Sequence, residues 1–203
     1  MKRFHDAYMQ IFQTQPTTFI EIGSRDGNHA ETLRALAQMH SRDIYIFEPH
    51  PECFREIIYY YPGFRCWELA IANQVGVMDF NAIPLKNHHA AEVGMSSLLQ
   101  RNTEIRHSQD WIRVMAVTGK TALTLINLPE IDMMKIDVEG YTYEVLRSFE
   151  EDIRRFKMLH LEVETVEIWK GQKLYNDIQE HLNWWGFQEL YYDTQYYNVD
   201  QAD

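Results

Sequence analysis

Two hydrophobic periods alternate along this chain. Short, nearly continuous apolar runs at Thr17 to Ile22, Ile44 to Phe47, Ile131 to Val138 and Met158 to Val163 read as strands covered on both faces, the pattern of a parallel sheet. Between them the apolar residues recur every three or four positions. Ala30, Leu33, Leu36 and Ala37 predict a helix after the first strand, and Asn28 is its expected N-cap because Glu31 follows three residues on. Leu174, Ile178, Leu182 and Trp185 predict a last helix that Gly186 stops.

Phe4, Ala7, Tyr8, Ile11 and Phe12 give an amphipathic helix over 3–14, ended by Pro16. Further helices are expected over 51–60, 122–128 and 143–149. Further strands are expected over 64–71, over 75–83 as an antiparallel extension, and over 111–117, with a terminal hairpin of 187–192 and 195–199. Strands alternating with helices in this order predict an α/β fold with a doubly wound, mostly parallel sheet, right-handed crossovers and a C-terminal antiparallel hairpin. Residues 84 to 110 break the pattern, being polar and rich in His and Asn. So long a connection inside a compact domain predicts a binding loop or lid.

Composition narrows the partners. The 203 residues suit one domain, and 45% hydrophobic with 24% charged residues is ordinary for a globular protein. The formal net charge of −11 repels a phosphate backbone, which excludes nucleic acid as a general partner. The N-terminus has no apolar run behind its charges, and no stretch approaches the roughly 18 consecutive apolar residues of a membrane span. Cys53 and Cys66 match no metal-ligand spacing and read as reduced thiols. The expectation is a cytoplasmic protein without membrane or metal. The pattern leaves oligomeric state open.

The chemistry sits in Phe19-Ile20-Glu21-Ile22-Gly23-Ser24-Arg25-Asp26-Gly27-Asn28, followed by Ile44-Tyr45-Ile46-Phe47-Glu48-Pro49. Strand, acid, glycine turn, helix, strand, acid is the order in which an α/β sheet builds a pocket for an adenosine-containing ligand. The glycines allow close approach of backbone N–H groups, and the second acid accepts from ribose hydroxyls. A dinucleotide site expects G-x-G-x-x-G, but Ser24 and Arg25 stand where its close glycine belongs, and Glu21 would repel a pyrophosphate. No Gly-Lys-Ser/Thr follows the turn, which excludes a P-loop. S-adenosylmethionine carries no phosphate and has a cationic sulfonium and amino group, so acids at these positions favour it.

Four blocks resemble the FkbM-type family of S-adenosylmethionine-dependent methyltransferases: Phe19 to Asn28; Phe47-Glu48-Pro49-His50-Pro51-Glu52-Cys53-Phe54; Met134-Lys135-Ile136-Asp137-Val138-Glu139-Gly140; and Leu159-His160-Leu161-Glu162. Ser96-Ser97-Leu98 is similar to the serine-containing segment of the family's long loop. The chain departs from the family in Glu21, where Asp is usual, and in Ser24-Arg25-Asp26-Gly27, where the turn often reads Ala-Asn-x-Gly.

The resemblance implies a Rossmann-like class I methyltransferase fold and O-methylation of a sugar, glycan or secondary-metabolite hydroxyl. It implies that Glu21, Gly23, Ser24 and Gly27 hold the methionine part of the donor, Glu48 the ribose, and Ala70 with Ile71 the adenine. Arg25, Asp26, Asn28, Pro49, Ser97, Asp137 and Glu139 complete the expected donor site. Asp137 is the first candidate base and His160 the second, although an isolated strand histidine is otherwise a core residue. Glu162 reads as a structural polar group, His88, His89 and His107 as surface histidines, and Trp184, Trp185, Tyr191, Tyr192, Tyr196 and Tyr197 as packing for the last helix. Two other readings are a nicotinamide-dependent oxidoreductase on a related fold and a non-catalytic donor-binding or interaction module.

Overall fold

A computed structural model describes residues 1–85, 94–102 and 110–192. The chain opens with α1 (Lys2–Phe12), β1 (Phe19–Ile22), α2 (Asn28–Ala37), β2 (Ile44–Phe47) and α3 (Pro51–Tyr60). The strands β3 (Arg65–Trp67), β4 (Ala70–Ile71), β5 (Gly76–Ala82) and β6 (Asp110–Val117) follow. They lead to α4 (Gly119–Ile126), β7 (Ile131–Ile136), α5 (Thr142–Arg147), β8 (Phe156–Leu161) and α6 (Tyr175–Trp184). One sheet has the order β3-β2-β1-β7-β8 and every pairing in it is parallel. A second, three-stranded sheet has the order β4-β6-β5, with β5 and β6 antiparallel as expected. The mostly parallel α/β architecture is therefore the one the periodicity predicts.

The inner strands β1, β2 and β7 are buried at every position, which is why their sequences are nearly continuous in apolar residues. Phe4, Tyr8, Phe19, Leu33, Ile44, Ile57, Met133 and Met158 fill one face beneath α1, α2 and α3. Ile20, Ile22, Tyr45, Phe47, Val145, Leu146 and Phe149 belong to the other. Cys53 and Cys66 are both free, as expected, and burial pushes both thiols up, Cys66 to about 12. No helix among the described residues is long and apolar enough to cross a membrane.

Four local expectations are corrected. The single strand over 64–71 is two strands, because the chain leaves the first sheet after Trp67 and joins β6 at Ala70. Gly27, not Asn28, is the N-cap of α2. Asp26 accepts from the Asn28 backbone N–H at 3.0 Å, while Glu31 pairs with Arg34 instead of closing a capping box. Residues 187–192 form no strand, and 195–199 with Tyr196 and Tyr197 lie outside the described residues. Trp184 is 79% exposed rather than packed on the sheet.

Asp132, at the amino end of β7, ties this end of the sheet together. It accepts from the Tyr8 hydroxyl at 2.7 Å, from Thr17 N–H and Oγ1–H at 2.7 and 2.8 Å, and from Lys157 Nζ at 2.8 Å. Burial opposes its ionisation, but these donors, Lys157 first, hold the carboxyl well below the usual range. Asp132→Ala should therefore lower stability by roughly 2–3 kcal/mol near pH 7, since it removes several hydrogen bonds at once, one of them to the buried Tyr8 hydroxyl. A folded carboxyl value below the unfolded one gives stability that is present above about pH 4 and lost as pH falls further. Denaturant melts at pH 7 and pH 3 check this, and the variant's deficit should shrink at the lower pH.

Candidate active site

The chain runs outward from β1 to β2 and β3, then returns to β7 on the other side of β1. The sheet therefore reverses its winding between β1 and β7, and ligands of such sheets bind beyond the carboxyl ends of the strands at that point. A cavity of about 250 Å³ opens there. Its walls are the residues that follow three strand ends: Gly23 to Asp26 after β1, Glu48 to His50 after β2, and Asp137 to Glu139 after β7. Ala70, Ile71 and Phe80 of the second sheet close one side, and Ser96 and Leu98 come from the long connection.

Gly23 makes this convergence possible. At φ 75° it lies so near the end of β7 that an added Cβ would be 1.9 Å from the Asp137 carbonyl oxygen. The β1 turn and the β7 end are thus in backbone contact, held also by the Asp137 N–H donating to Ile22 O at 3.0 Å. The turn then folds over Glu48. Arg25, in left-handed backbone at φ 59°, donates its N–H to Glu48 Oε2 at 2.8 Å, and His50 N–H donates to Oε1 at 2.8 Å. Glu48 is almost fully buried, and burial raises its carboxyl to about 7 against the pull of these N–H groups. The side chain of His50 is locked, with Nε2–H donating to Ile83 O at 3.0 Å and Nδ1 accepting from Glu52 N–H at 3.2 Å.

Behind the cavity lies a row of polar groups. The register pairs Glu21 of β1 with Lys135 of β7, and Lys135 with His160 of β8. Lys135 is only 6% exposed, and its ammonium donates to Asp137 Oδ2 at 2.7 Å and lies 3.5 Å from Glu21 Oε1. Burial pulls Lys135 down, but the charges of Glu21 and Asp137 outweigh it and keep the ammonium raised. Burial likewise works against Asp137, yet the hydrogen bond from Glu162 and the charge of Lys135 bring it down to about 2. Glu21 is wholly buried and raised by desolvation; its Oε2 accepts from Ser24 Oγ at 2.7 Å. One carboxyl oxygen from each of Asp137, Glu139 and Glu162 can be chosen so that all three lie within 4.8 Å of one another.

Of the residues expected from sequence, Gly23, Ser24, Arg25, Asp26, Glu48, Pro49, Ala70, Ile71, Asp137 and Glu139 line the cavity. Glu21, Gly27, Asn28, Ser97 and His160 do not. Glu21 stands one layer behind, under Lys135. Ser97 is buried and gives its hydroxyl to Glu139 O at 2.7 Å, so its neighbours Ser96 and Leu98 face the cavity instead. His160 packs edge-to-face on Phe4, and burial lowers its imidazole to about 4. His29, Lys135, Glu162 and Tyr141 line the cavity without having been singled out for it. Lys135 and Glu162 stand in the motif blocks, but only the strand register shows what they face. His88, His89 and His107 lie outside the described residues.

A family model for the "Methyltransferase FkbM domain" matches residues 21–190, so the chain belongs to the FkbM methyltransferase family. It is similar to the 2-O-methyltransferase NoeI of Sinorhizobium fredii (strain NBRC 101917 / NGR234), at 22% identity over 179 residues that cover 84% of this chain and 72% of NoeI. No solved structure matches the chain.

The close approach at Gly23 is testable. Gly171 has nearly the same φ, 74°, but nothing lies within 4 Å of an added Cβ. Gly171→Ala should lose about 1–3 kcal/mol through backbone strain alone, and Gly23→Ala should lose clearly more. Equal shifts in urea midpoint would contradict backbone contact between the β1 turn and β7.

Proposed function

We propose that this methyltransferase uses S-adenosylmethionine as donor and methylates a hydroxyl of a sugar, glycan or related small molecule. The observation that carries the donor is the charge of the cavity. Asp26, Glu48, Asp137, Glu139 and Glu162 line it against two permanent cations, Arg25 and Lys135. Both cations already pair with acids, Arg25 with Asp26 at 2.7 Å and Lys135 with Asp137 and Glu21. Glu48 and Glu139, raised to about 7 and about 8, can give up protons as a sulfonium and an amino group enter, and both permanent cations are already paired, so the wall suits a cationic ligand better than a pyrophosphate and argues for the methyl donor over a nicotinamide dinucleotide. The site also fits the rest of the molecule. Glu48 accepts the Arg25 and His50 N–H groups on different oxygens, with Ser24 N–H a third donor, and the remaining lone-pair capacity can take a ribose hydroxyl. Ala70 and Ile71 offer an apolar wall for the adenine, and Gly23, Ser24, Arg25, Asp26 and Pro49 border the remainder.

The donor supplies an electrophilic methyl group. The chain supplies position, since a displacement at carbon depends on holding the acceptor oxygen in line with the methyl. It also supplies an enclosed polar environment. Glu21 acts through Lys135, fixing the ammonium that keeps Asp137 ionised at the cavity wall. The O-methylation reading rests on the likeness to NoeI, and an acceptor near Ser96 and Leu98 would meet the part of the wall that comes from the long connection. The protein works where its donor is made, in the cytoplasm.

Calorimetric titration with S-adenosylmethionine, S-adenosylhomocysteine and NAD tests the assignment. The first two should bind and NAD should not. Glu48→Ala should weaken both by about 1–3 kcal/mol, the value of buried hydrogen bonds to a charged group; unchanged affinity in a folded variant would refute the ribose role.

Acidity gives a second check. Because burial raises Glu48 from 4.5 to about 7, the free protein loses stability as pH climbs through that interval. Ligand hydroxyls donate to the ionised form, so affinity for S-adenosylhomocysteine should rise from pH 5.5 to 7.5 and then level off, and affinity for S-adenosylmethionine should rise at least as steeply over the same interval.

A further inference from the structure

Glu139 stands in a strained turn that its neighbours clamp at the cavity wall. Its backbone is left-handed, φ 51°, and Gly140 continues the turn at φ 85°. An acid in that conformation is strained, and such strain persists where surrounding structure over-determines it, most often at functional positions. Here the restraints are visible. Ser97 Oγ donates to Glu139 O at 2.7 Å and accepts from Leu99 N–H at 3.0 Å, while the Ser97 backbone exchanges both hydrogen bonds with Asn81. Trp169 packs against Gly140 so tightly that an added Cβ would be 2.4 Å from its ring. The turn is thus clamped from both sides, and Glu139 lines the cavity.

The other acids there are committed. Asp137 is bound to Lys135 and receives the Glu162 hydrogen bond, and Glu48 holds the β1 turn. We propose that Glu139 is the catalytic base, ionised while the sulfonium donor is bound and protonated once the thioether product has replaced it. The inference rests on the donor reading above. In the transfer, the hydroxyl oxygen forms a bond to the methyl carbon, the carbon–sulfur pair returns to sulfur, and the hydroxyl proton passes to the Glu139 carboxylate.

The electrostatics agree with the geometry. Glu139 faces Asp137, Glu162 and Glu164 among the acids and Arg101 and Lys135 among the cations. Burial, then repulsion from Asp137 and Glu164, raises it to about 8. Glu162, raised to about 10 by burial and its bond to Asp137, keeps its proton throughout. Asp137, at about 2, is too weak a base to be useful at neutral pH, whereas a group near 8 is well matched to the task. A positive sulfonium in the same cavity favours the Glu139 carboxylate, and its conversion to a neutral thioether removes that bias as the proton arrives.

The test counts protons and needs no acceptor. Calorimetry at pH 7.5 in two buffers of different ionisation enthalpy gives the protons released on binding S-adenosylmethionine and S-adenosylhomocysteine. Contributions from Glu48 are common to both ligands and cancel in the comparison. The donor should release roughly half to one proton more than the product. That difference should vanish in Glu139→Gln, with both ligands still binding, and persist in Glu162→Gln. Equal counts in the wild type, or a difference that survives in folded Glu139→Gln, would overturn the proposal. If Glu139→Gln fails to fold by circular dichroism, infrared difference spectra of the wild type decide. A protonated-carboxyl band lost on adding the donor but not the product supports the proposal, and an unchanged band opposes it. Failure of either nucleoside to bind the folded wild type would instead sink the donor reading, and this inference with it.

Discussion

The ammonium of Lys135 is the interaction on which the site depends. It sits near the carboxyl end of a fully buried strand, where the register sets it beside Glu21 on β1 and two residues before Asp137. A lone buried charge of either sign would be strongly unfavourable, and a carboxylate on each side makes this one tolerable. The consequence is structural as well as electrostatic. The pair holds the ends of β1 and β7 together where Gly23 brings their backbones into contact, and it places an ionised Asp137 at the cavity wall.

From that constraint the character of the cavity follows. One ammonium is shared by Glu21 and Asp137, and Glu139 and Glu162 are left to manage their charge by holding protons. Arg25 is spent on Asp26. A wall of this composition responds to the charge of its occupant, and the charge of a sulfonium donor is what disappears during methyl transfer. Preference for the reactant over its product and acceptance of a proton are then two aspects of a single arrangement of carboxyl groups. The opposite end of the sheet is organised on the same physical rule, with Asp132 gathering donors from α1, the entry to β1 and β8.

Most of the fold was legible because β1, β2 and β7 are covered on both faces and the helices between them are amphipathic, so two periodicities separate cleanly. The glycine turn and the acids at 48, 137 and 139 were legible because strand-end chemistry leaves a local signature. What was not legible depends on pairing across strands. Glu21 looked like a ligand contact but lies under Lys135, since only the register reveals which face it takes. His160 looked like a base because nothing local shows that Phe4 covers it. Ser96 and Ser97 are indistinguishable in sequence, yet the one-residue difference reverses which side chain faces the cavity. The break between Trp67 and Ala70 leaves no local signal because no glycine or proline separates the two strands.

A crystal structure of the protein with S-adenosylhomocysteine bound would test the account most directly. The ribose hydroxyls should lie on Glu48, the adenine against Ala70 and Ile71, and the sulfur on the side of Asp137 and Glu139. A nucleoside bound elsewhere, or one in this cavity with its ribose turned away from Glu48, would contradict it.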